Sequence, residues 1–541
     1  MKTQKKLPTG IQAFEKLIKG NNIYVDKTEY LVRLIDNGST YFLARPRRFG
    51  KSLTTSTFAA IFSGEKELFK GLYAEEFLHR SDFEPSPVIH LDMSKVNTNH
   101  GIDGIEKSLK QQTLQIAERL GIEIDKNLFA SDMLEDIIRK AATNHKSKKT
   151  VILIDEYDKP YTDFVNDPEM ADKVRNLLRN YYVQIKACDE YIRFSFVTGI
   201  SKFARFGVFS TLNSPLDISM IPEYAEICGY TEAEIIKYFP DYLEKTAEEM
   251  EISVEELMER IRYHYDGFTF DSKAETRLYC PYSTLSFFEN REFFNYWIDT
   301  GRSKFIADYM KDKHLTVEQF RKLPVSKDFA KTPGDMDTAP PEGFFLQSGY
   351  LTLRPGIGDN FLLDYPNTEV LNSMSELLTK NILGDSDAER FKNNVYRQIM
   401  ESNTDGFMRT LNVLLANIPY DDYSRAAQQQ VEDNNYPFTA GEWLYRSSIL
   451  SFLHGTGIKV EGEPHNNKGR ADLVITYQDC VWIIELKVAY KTEDVQKKLE
   501  EAKNQIITNQ YAKPYPNAIC LAIVIDDEKR QIVECKHIKN E

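Results

Sequence analysis

Residues 43–53, LARPRRFGKSL, contain a candidate phosphate-binding loop. The stretch ends in Gly50, Lys51 and Ser52, and nucleotide-binding P-loops end in the same triplet. In such a loop, backbone N–H groups at a helix N-terminus surround a phosphate, the lysine reaches the outer phosphates, and the serine hydroxyl binds a metal ion. Arg45 stands where the usual pattern has its first glycine. The stretch therefore predicts a nucleotide site in a loop of unusually bulky residues.

The three arginines of this loop, Arg45, Arg47 and Arg48, allow three interpretations. They could hold phosphates, because the arginine fork matches phosphate oxygens. They could instead pair with acidic residues of a lid, or contact nucleic acid. We favour the first two roles together.

An acidic pair, Asp155 and Glu156, follows the apolar segment 150–154, TVILI. A strand that delivers an aspartate and a glutamate at its carboxyl end is the Walker B arrangement. Asp155 would orient the shell of a Mg²⁺ ion, and Glu156 would be the general base that polarises the attacking water. The alternative is a solvent-facing acidic loop after a core strand.

Thr198 occupies the end of the next apolar segment, RFSFV. A polar residue there is placed to sense a terminal phosphate, and Lys202 or Arg205 could supply a positive charge. Simple turn residues are the alternative interpretation of all three.

A second candidate site lies in residues 468–488, KGRADLVITYQDCVWIIELKV. Glu485 and Lys487 are two residues apart, so a strand points both to the same face. If the two apolar segments form a hairpin, Asp472 meets them. Two carboxylates then hold Mg²⁺, and the lysine orients or activates a water. This is the D…ExK pattern of PD-(D/E)XK nucleases, with Ala471 in place of the proline.

Further residues could complete this second site. Glu461 or Glu463 could add a third metal-binding carboxylate, Glu442 is another candidate, and Gln505 could support the site. Two other interpretations stay open, namely a surface ion-pair cluster and a domain of this fold that binds without cutting.

The apolar segments that carry these residues alternate with helical segments, which implies a parallel sheet covered on both faces. Strands are predicted at 39–44, 87–91, 150–154 and 193–197, and helices at 51–62, 103–120, 132–145 and 170–188. After residue 436 the predicted order is helix 441–454, strands 457–461, 471–477 and 481–488, helix 493–511, and strands 517–525 and 531–536.

Ten stretches in order resemble the AAA-ATPase-like proteins of bacteria, which pair a divergent P-loop domain with a C-terminal PD-(D/E)XK nuclease-like domain. The stretches are YVDKTEYL, RPRRFGKSL, HLDMS, LIDEYDKP, TGISKF, STLNSPLDIS, CGYTEAEI, YHYDGFTF, LQSGYLT and YPNTEV. The resemblance implies that an arginine at the first glycine position is this family's form of the P-loop. It also implies ATP binding, with Asp155 and Glu156 in the Walker B roles. The full set of expected ATP ligands is Arg45, Arg48, Phe49, Gly50, Lys51, Ser52, Leu53, Asp155 and Thr198.

The predicted fold class is α/β, with a P-loop NTPase parallel sheet, a mainly helical accessory region and a C-terminal α/β nuclease-like domain. The expected boundaries are 1–228 for the ATPase domain, 229–370 for the lid or accessory region, 371–435 for a helical linker and 436–541 for the nuclease-like domain. Aromatic residues are dense in the accessory region. They could stack nucleic-acid bases, but a packed core is the stronger interpretation.

Composition limits the partners and the compartment. The net charge is −14, so any nucleic-acid contact must be a local patch, and residues 1–60 hold 11 basic against 4 acidic side chains. The six cysteines are scattered and no apolar run approaches 18 residues, which favours a reducing cytoplasm and no membrane span. We therefore expect a cytoplasmic ATPase joined to a Mg²⁺-dependent nuclease for DNA or RNA. The rival is an NTPase switch whose C-terminal domain binds nucleic acid or a protein partner without cleaving; a homo-oligomer stays open in either case.

Overall fold

The computed structural model describes residues 5–164, 167–200, 215–297, 310, 317–326, 329, 341–356, 360–417, 440–462, 471–515 and 517–538. The chain divides into two compact units. The first unit comprises residues 1–297 and 322–367, and the second comprises residues 298–321 and 368–541.

The first unit is built on a five-stranded parallel sheet with the strand order β2-β3-β4-β1-β5. Its strands are β1 Thr40–Ala44, β2 Val88–Asp92, β3 Thr150–Asp155, β4 Ile192–Gly199 and β5 Leu216–Asp217. The helices up to β5 are α1 Phe14–Lys19, α2 Thr28–Asn37, α3 Lys51–Phe62, α4 Ala74–Leu78, α5 Gly101–Leu120, α6 Ala130–Asn144, α7 Lys159–Thr162 and α8 Pro168–Ala187. The order places β4 between β1 and β3, so the carboxyl ends of these three strands share one edge.

Both faces of this sheet are covered by apolar side chains from helices. On one face, Phe42 and Ile152 pack with residues of α5, α6 and α8. On the other face, Phe58 of α3 lies 4.8 Å from Phe196, ring centre to ring centre. Strands buried on both faces explain the nearly continuous apolar segments of the sequence. The predicted α/β fold class is confirmed.

The rest of the first unit is mainly helical and has its own apolar core. Its elements are the helices α9 Glu232–Tyr238, α10 Pro240–Glu249, α11 Val254–Tyr265, α12 Pro281–Asn290 and α13 Pro341–Ser348, with the strands β6 Leu323–Val325, β7 Thr352–Pro355 and β8 Phe361–Asp364. Several aromatic residues of the accessory region, such as Tyr265, Phe287 and Phe288, are buried in this core. Their density therefore serves packing, as the stronger of the two interpretations expects.

The second unit contains a five-stranded mixed sheet with the strand order β13-β12-β11-β10-β9. Its elements are α14 Thr368–Leu383, α15 Asp385–Met400, α16 Thr404–Leu415, α17 Ala440–Gly455, β9 Lys459–Gly462, β10 Leu473–Tyr477, β11 Cys480–Ala489, α18 Val495–Asn509, β12 Ile519–Asp526 and β13 Gln531–Ile538. Only β11 and β12 pair in parallel; the other neighbours are antiparallel. The helix and strand order after residue 436 agrees with the sequence prediction.

The predicted helical linker, residues 371–435, differs from what the structure places there. Helices α15 and α16 contribute Phe391, Val395, Phe407 and Leu411 to the same core as the sheet residue Trp482. The apolar faces of these helices are buried against the nuclease-like sheet, so the helices belong to its core. Residues 418–439, which include the polar stretch QQQVEDNN, lie outside the described residues.

Candidate nucleotide and metal sites

The phosphate loop connects β1 to α3, as its position between an apolar segment and a helix predicted. Gly50 immediately precedes α3 and has a φ of 96°, in the left-handed region that favours glycine. An added Cβ would meet nothing within 4 Å, so the backbone conformation alone requires glycine here. Helix α3 thus begins directly after Gly50, where the motif places the phosphate.

The amine of Lys51 is held inside its own loop. The side chain is only 4% exposed, and Nζ donates to the carbonyl oxygens of Arg45 and Pro46, both at 2.9 Å. Burial lowers the pKa of Lys51, and the charges of Glu156 and Asp155 oppose that effect. A phosphate would therefore have to replace the two carbonyl oxygens as partners of this amine.

The Walker B residues lie beside this lysine because β1, which leads into its loop, and β3 end at the same edge of the parallel sheet. Asp155 is buried, and its Oδ1 accepts a hydrogen bond from Thr198 Oγ1 at 2.5 Å. Glu156 has a φ of 52°, and burial raises its pKa although Lys51 and Arg47 oppose the rise. The structure thus brings Lys51, Asp155 and Glu156 together.

Thr198 is completely buried and is bonded to Asp155, so in this structure it orients that carboxylate. Its predicted role as a phosphate sensor stays a prediction. Lys202 and Arg205, the two candidate cations after it, lie outside the described residues. Asp158 was missed by sequence reasoning; it is 1% exposed, and its Oδ2 accepts the N–H of Ile200 at 3.1 Å. In the sequence, only its position as the third acidic residue of DEYD could have indicated that Asp158 belongs to this site.

Two predicted nucleotide ligands point elsewhere. Arg45 is 1% exposed and donates to the carbonyl oxygens of Ser219 at 2.7 Å, Tyr224 at 3.1 Å and Ala225 at 3.3 Å. Its guanidinium therefore serves backbone carbonyls, which is none of the three roles that the sequence suggested. The ring of Phe49 is buried in aromatic contacts.

Three further predicted ligands lie in the loop or in the first turn of α3. Arg48 is exposed and has a φ of 66°, and its guanidinium lies 3.9 Å from the ring centre of Tyr282. Ser52 and Leu53 lie half-buried in the first turn of α3. Their roles in nucleotide binding stay predictions.

The C-terminal candidate site is set by a hairpin. Strands β10 and β11 are antiparallel, and Leu473 pairs with Ile484, which places Asp472 opposite Glu485. Asp472 Oδ2 also accepts the backbone N–H of Leu486 at 2.7 Å, which fixes the register locally. The predicted meeting of the two carboxylates therefore occurs.

Both carboxyl groups are deeply buried. Asp472 is 4% exposed and Glu485 is fully buried. Burial raises the pKa of Asp472 to about 6 and, together with the charge of Asp472, the pKa of Glu485 to about 8. The pair is therefore costly to ionise in the absence of a positive partner.

Lys487 connects this pair to the helix α17. Its Nζ lies 2.9 Å from Glu485 Oε1 and 3.3 Å from Glu442 Oε1. Burial alone would lower the pKa of Lys487, but the carboxylates of Glu485, Asp472 and Glu442 raise it above its ordinary value. The lysine is a permanent cation between two acidic groups.

The remaining predicted residues lie around this centre. Glu461 pairs across the sheet with Val474 and is bonded to Lys459 at 2.9 Å, with its side chain 45% exposed. Glu463 lies outside the described residues. Gln505 donates to the hydroxyl of Tyr511 at 3.3 Å. Sequence reasoning missed Tyr511. Burial raises the pKa of its hydroxyl, and the charges of Glu485 and Asp472 raise it further by smaller amounts.

The donor set fits a hard divalent cation in part. Glu485 Oε2 is buried, and among the residues that the structure describes it has no hydrogen-bond partner. An unpaired buried carboxylate oxygen is costly, so a ligand at this position would be favourable. Carboxylate oxygens are the ligands that Mg²⁺ prefers. Within the described ranges, however, no three His, Cys, Asp or Glu side chains are grouped so that they could hold a metal ion.

Comparison with known proteins assigns the two regions separately. A family model described as "Predicted AAA-ATPase" matches residues 8–209, and a "PD-(D/E)XK nuclease superfamily" model matches residues 440–535. The fold and both sites thus define a P-loop ATPase-like domain joined to a nuclease-superfamily domain.

A protein of Azotobacter chroococcum mcd 1, described as an uncharacterized protein in the vnfD 5' region, is 30% identical over 546 residues. The match covers 98% of this chain and 98% of that protein. The chain therefore belongs to the AAA-ATPase-like family with a C-terminal PD-(D/E)XK domain, and the resemblance noted in the sequence is confirmed. Among the helices that the structure describes, none combines the length and apolar character of a membrane span.

Proposed function

We propose that the protein is an ATPase coupled to a Mg²⁺-dependent nuclease that cleaves phosphodiester bonds of DNA or RNA. The observation that carries the proposal is the pair of buried carboxylates, Asp472 and Glu485, beside Lys487. Burying two carboxylates is unfavourable, Lys487 supplies only one positive charge, and among the described residues Glu485 Oε2 has no hydrogen-bond partner. A divalent cation would add positive charge and give that oxygen a partner.

Each of the three residues of this site then has a role in hydrolysis. Asp472 and Glu485 would hold Mg²⁺, which supplies Lewis acidity and a more acidic water when bound. Lys487 would orient the attacking water and stabilise the negative charge that develops on the phosphate. Water would add to phosphorus and lose a proton, the P–O bond to the leaving nucleotide would break, and the leaving oxygen would take up a proton.

The first unit would bind and hydrolyse ATP. Lys51 would exchange the carbonyl oxygens of Arg45 and Pro46 for phosphate oxygens, and Ser52 and Asp155 would bind Mg²⁺. Glu156 would accept a proton from the attacking water. Its raised pKa moves it toward the range in which a general base works at neutral pH.

The test is cleavage of labelled single- and double-stranded DNA and RNA by the full chain with Mg²⁺ or Mn²⁺. Wild type is compared with Glu485→Gln and Lys487→Met, and each is assayed with and without ATP. Glu500→Gln is the matched control, because its carboxylate is exposed and paired with Lys503 and has no part in the proposed site. We expect Glu485→Gln to reduce cleavage by about 10³-fold or more. Cleavage that survives both substitutions would contradict the proposed site.

A second candidate function is a switch whose C-terminal domain binds without cutting. One observation favours it: Lys487 is ion-paired to both Glu442 and Glu485, so the acidic groups already have a cation. If wild type cuts none of the substrates yet still binds ATP through Lys51, the binding role is preferred.

A further inference from the structure

Two bulky residues of the phosphate loop contact the same aromatic ring. The guanidinium carbon of Arg45 lies 4.4 Å from the ring centre of Phe270, and the ring of Phe49 meets the same ring edge-on at 5.1 Å. Phe270 is 7% exposed. In a P-loop of small residues neither contact could form, so this coupling is a property of the RPRRFG loop.

Phe270 belongs to residues 266–280, which we call the aromatic loop. Its two arms are joined by paired backbone hydrogen bonds between Phe268 and Leu278, at 3.1 and 2.8 Å. Between the arms, the carboxylate of Asp271 accepts the N–H groups of Lys273 and Thr276, both at 2.7 Å. The aromatic loop therefore has an internal frame of hydrogen bonds that connects its two arms around Phe270.

On the other side, Arg45 is connected directly to the reactive lysine. Its carbonyl oxygen accepts from Lys51 Nζ, while its guanidinium is fixed by three carbonyl oxygens of residues 219–225. A chain of contacts thus runs from Lys51 through Arg45 to Phe270. Phe49 provides a parallel connection from the residue next to Gly50.

We propose that Arg45 and Phe49 are positioning residues through which the aromatic loop sets the nucleotide affinity of the P-loop. The inference rests on the proposed function, because it requires that the loop binds ATP. Phosphates that capture the amine of Lys51 release the Arg45 carbonyl, and the change reaches Phe270. Linkage is reciprocal, so any partner that moves the aromatic loop changes ATP affinity by the same factor.

The competing explanation is that Phe270 is only a core residue. In that case its truncation lowers stability and leaves ATP affinity unchanged. Phe287→Leu is the matched control, because Phe287 is fully buried in the neighbouring aromatic core and its ring contacts are Tyr265, Phe288 and Phe293. Phe270→Leu keeps an apolar side chain at this position. It therefore breaks the connection with less disturbance of the fold than a substitution of Arg45.

The experiment measures the Kd for ATP with Mg²⁺ by calorimetry on the full chain, together with hydrogen exchange of the aromatic loop with and without ATP. We expect Phe270→Leu to change the Kd by about 5- to 30-fold and Phe287→Leu by less than about twofold. ATP should alter exchange within residues 266–280 in wild type and in Phe287→Leu, and much less in Phe270→Leu.

Three outcomes separate the two levels of inference. A wild-type Kd and an unchanged exchange response in Phe270→Leu would overturn the coupling while leaving ATP binding intact. ATP binding that is insensitive to Lys51→Ala would overturn the proposed nucleotide site itself. Arg45→Lys, which keeps the charge but loses the fork, is expected to shift the Kd in the same direction as Phe270→Leu; an unaltered Kd would exclude Arg45 from the connection.

Discussion

The two candidate sites treat buried charge in opposite ways. In the first unit, the buried cations Arg45 and Lys51 are bonded to backbone carbonyl oxygens of the same unit. In the second unit, the buried acid Glu485 is paired with Lys487, and within the described ranges its Oε2 has no hydrogen-bond partner. Among the described residues, both cations of the first site have hydrogen-bond acceptors without a ligand, although Arg45 Nε has none, whereas one carboxylate oxygen of the second site has no donor. The P-loop is therefore held in shape by its own charges, whereas the acidic pair in its ionised form would be stabilised by a further cation.

The largest expected effect comes from removing the internal partner of the first site. Arg45→Met should leave the carbonyl oxygens of Ala44, Ser219, Tyr224 and Ala225 without their donor. We expect the free energy of unfolding to fall by about 4 kcal/mol, because buried unsatisfied groups are costly. The measurement is denaturant unfolding of the full chain, with hydrogen exchange of the first unit as the readout of its free energy of unfolding. Arg33→Met, an exposed change in the same unit, is the control, and a loss below about 1 kcal/mol at Arg45 would contradict the expectation.

The second effect supplies the missing partner of the acidic site. Mn²⁺ at 100 times its Kd should stabilise the second unit by about 2.7 kcal/mol. The same ion should leave Glu485→Gln unchanged, because that variant lacks one of the two charges. Thermal unfolding with and without Mn²⁺ gives the comparison, in the absence of ATP so that the first site stays empty of metal. Equal stabilisation of both proteins would place the ion elsewhere.

The third effect is a pH dependence of the metal-free protein. The pKa of Glu485 is raised from an ordinary value of 4.5 to about 8, so the folded state favours the protonated carboxyl. This contribution to stability is fully present below about pH 4.5 and is lost as the pH rises through about 8. Glu485→Gln removes it, so the variant should become more stable than wild type by about 1–3 kcal/mol at pH 8. Unfolding free energies of both proteins from pH 5 to 8 test this, and a constant difference would refute it.

The smallest effect is expected at the exposed arginine of the P-loop. Arg48→Met removes a cation from the face of Tyr282 at a solvent-exposed position. The free energy of unfolding should fall by about 0.5–1 kcal/mol. Tyr282→Leu should give a similar loss, and the double variant should lose little more than either single one. Fully additive losses would mean that the two side chains do not interact.

The parts of both sites that depend on local geometry were predictable. The P-loop lies between a strand and a helix, and Asp472 meets Glu485 because a hairpin brings neighbouring segments together. Strand parity then puts Lys487 on the face of Glu485. These relations join residues that are close in the chain, so the alternation of apolar and polar residues is enough to predict them.

The destination of the arginines was not predictable, because their partners are distant in the chain. Arg45 binds carbonyl oxygens of residues 219–225 and the ring of Phe270, and no pattern in the sequence connects those positions. The same limit applies to α15 and α16. Their amphipathic pattern shows that one face is buried, but it does not identify the nuclease-like sheet as the surface they cover.

The interleaving of the two units has a consequence for synthesis on the ribosome. The second unit takes residues 298–321 from within the first, and there Val317 and Phe320 are buried in a short helical turn that contacts α17. That helix begins only at Ala440, so these apolar side chains emerge several seconds before their partner at roughly 5–20 residues per second. During that interval they are available to chaperones or to a neighbouring nascent chain. A truncated gene that ends before α17 would leave them in that state permanently.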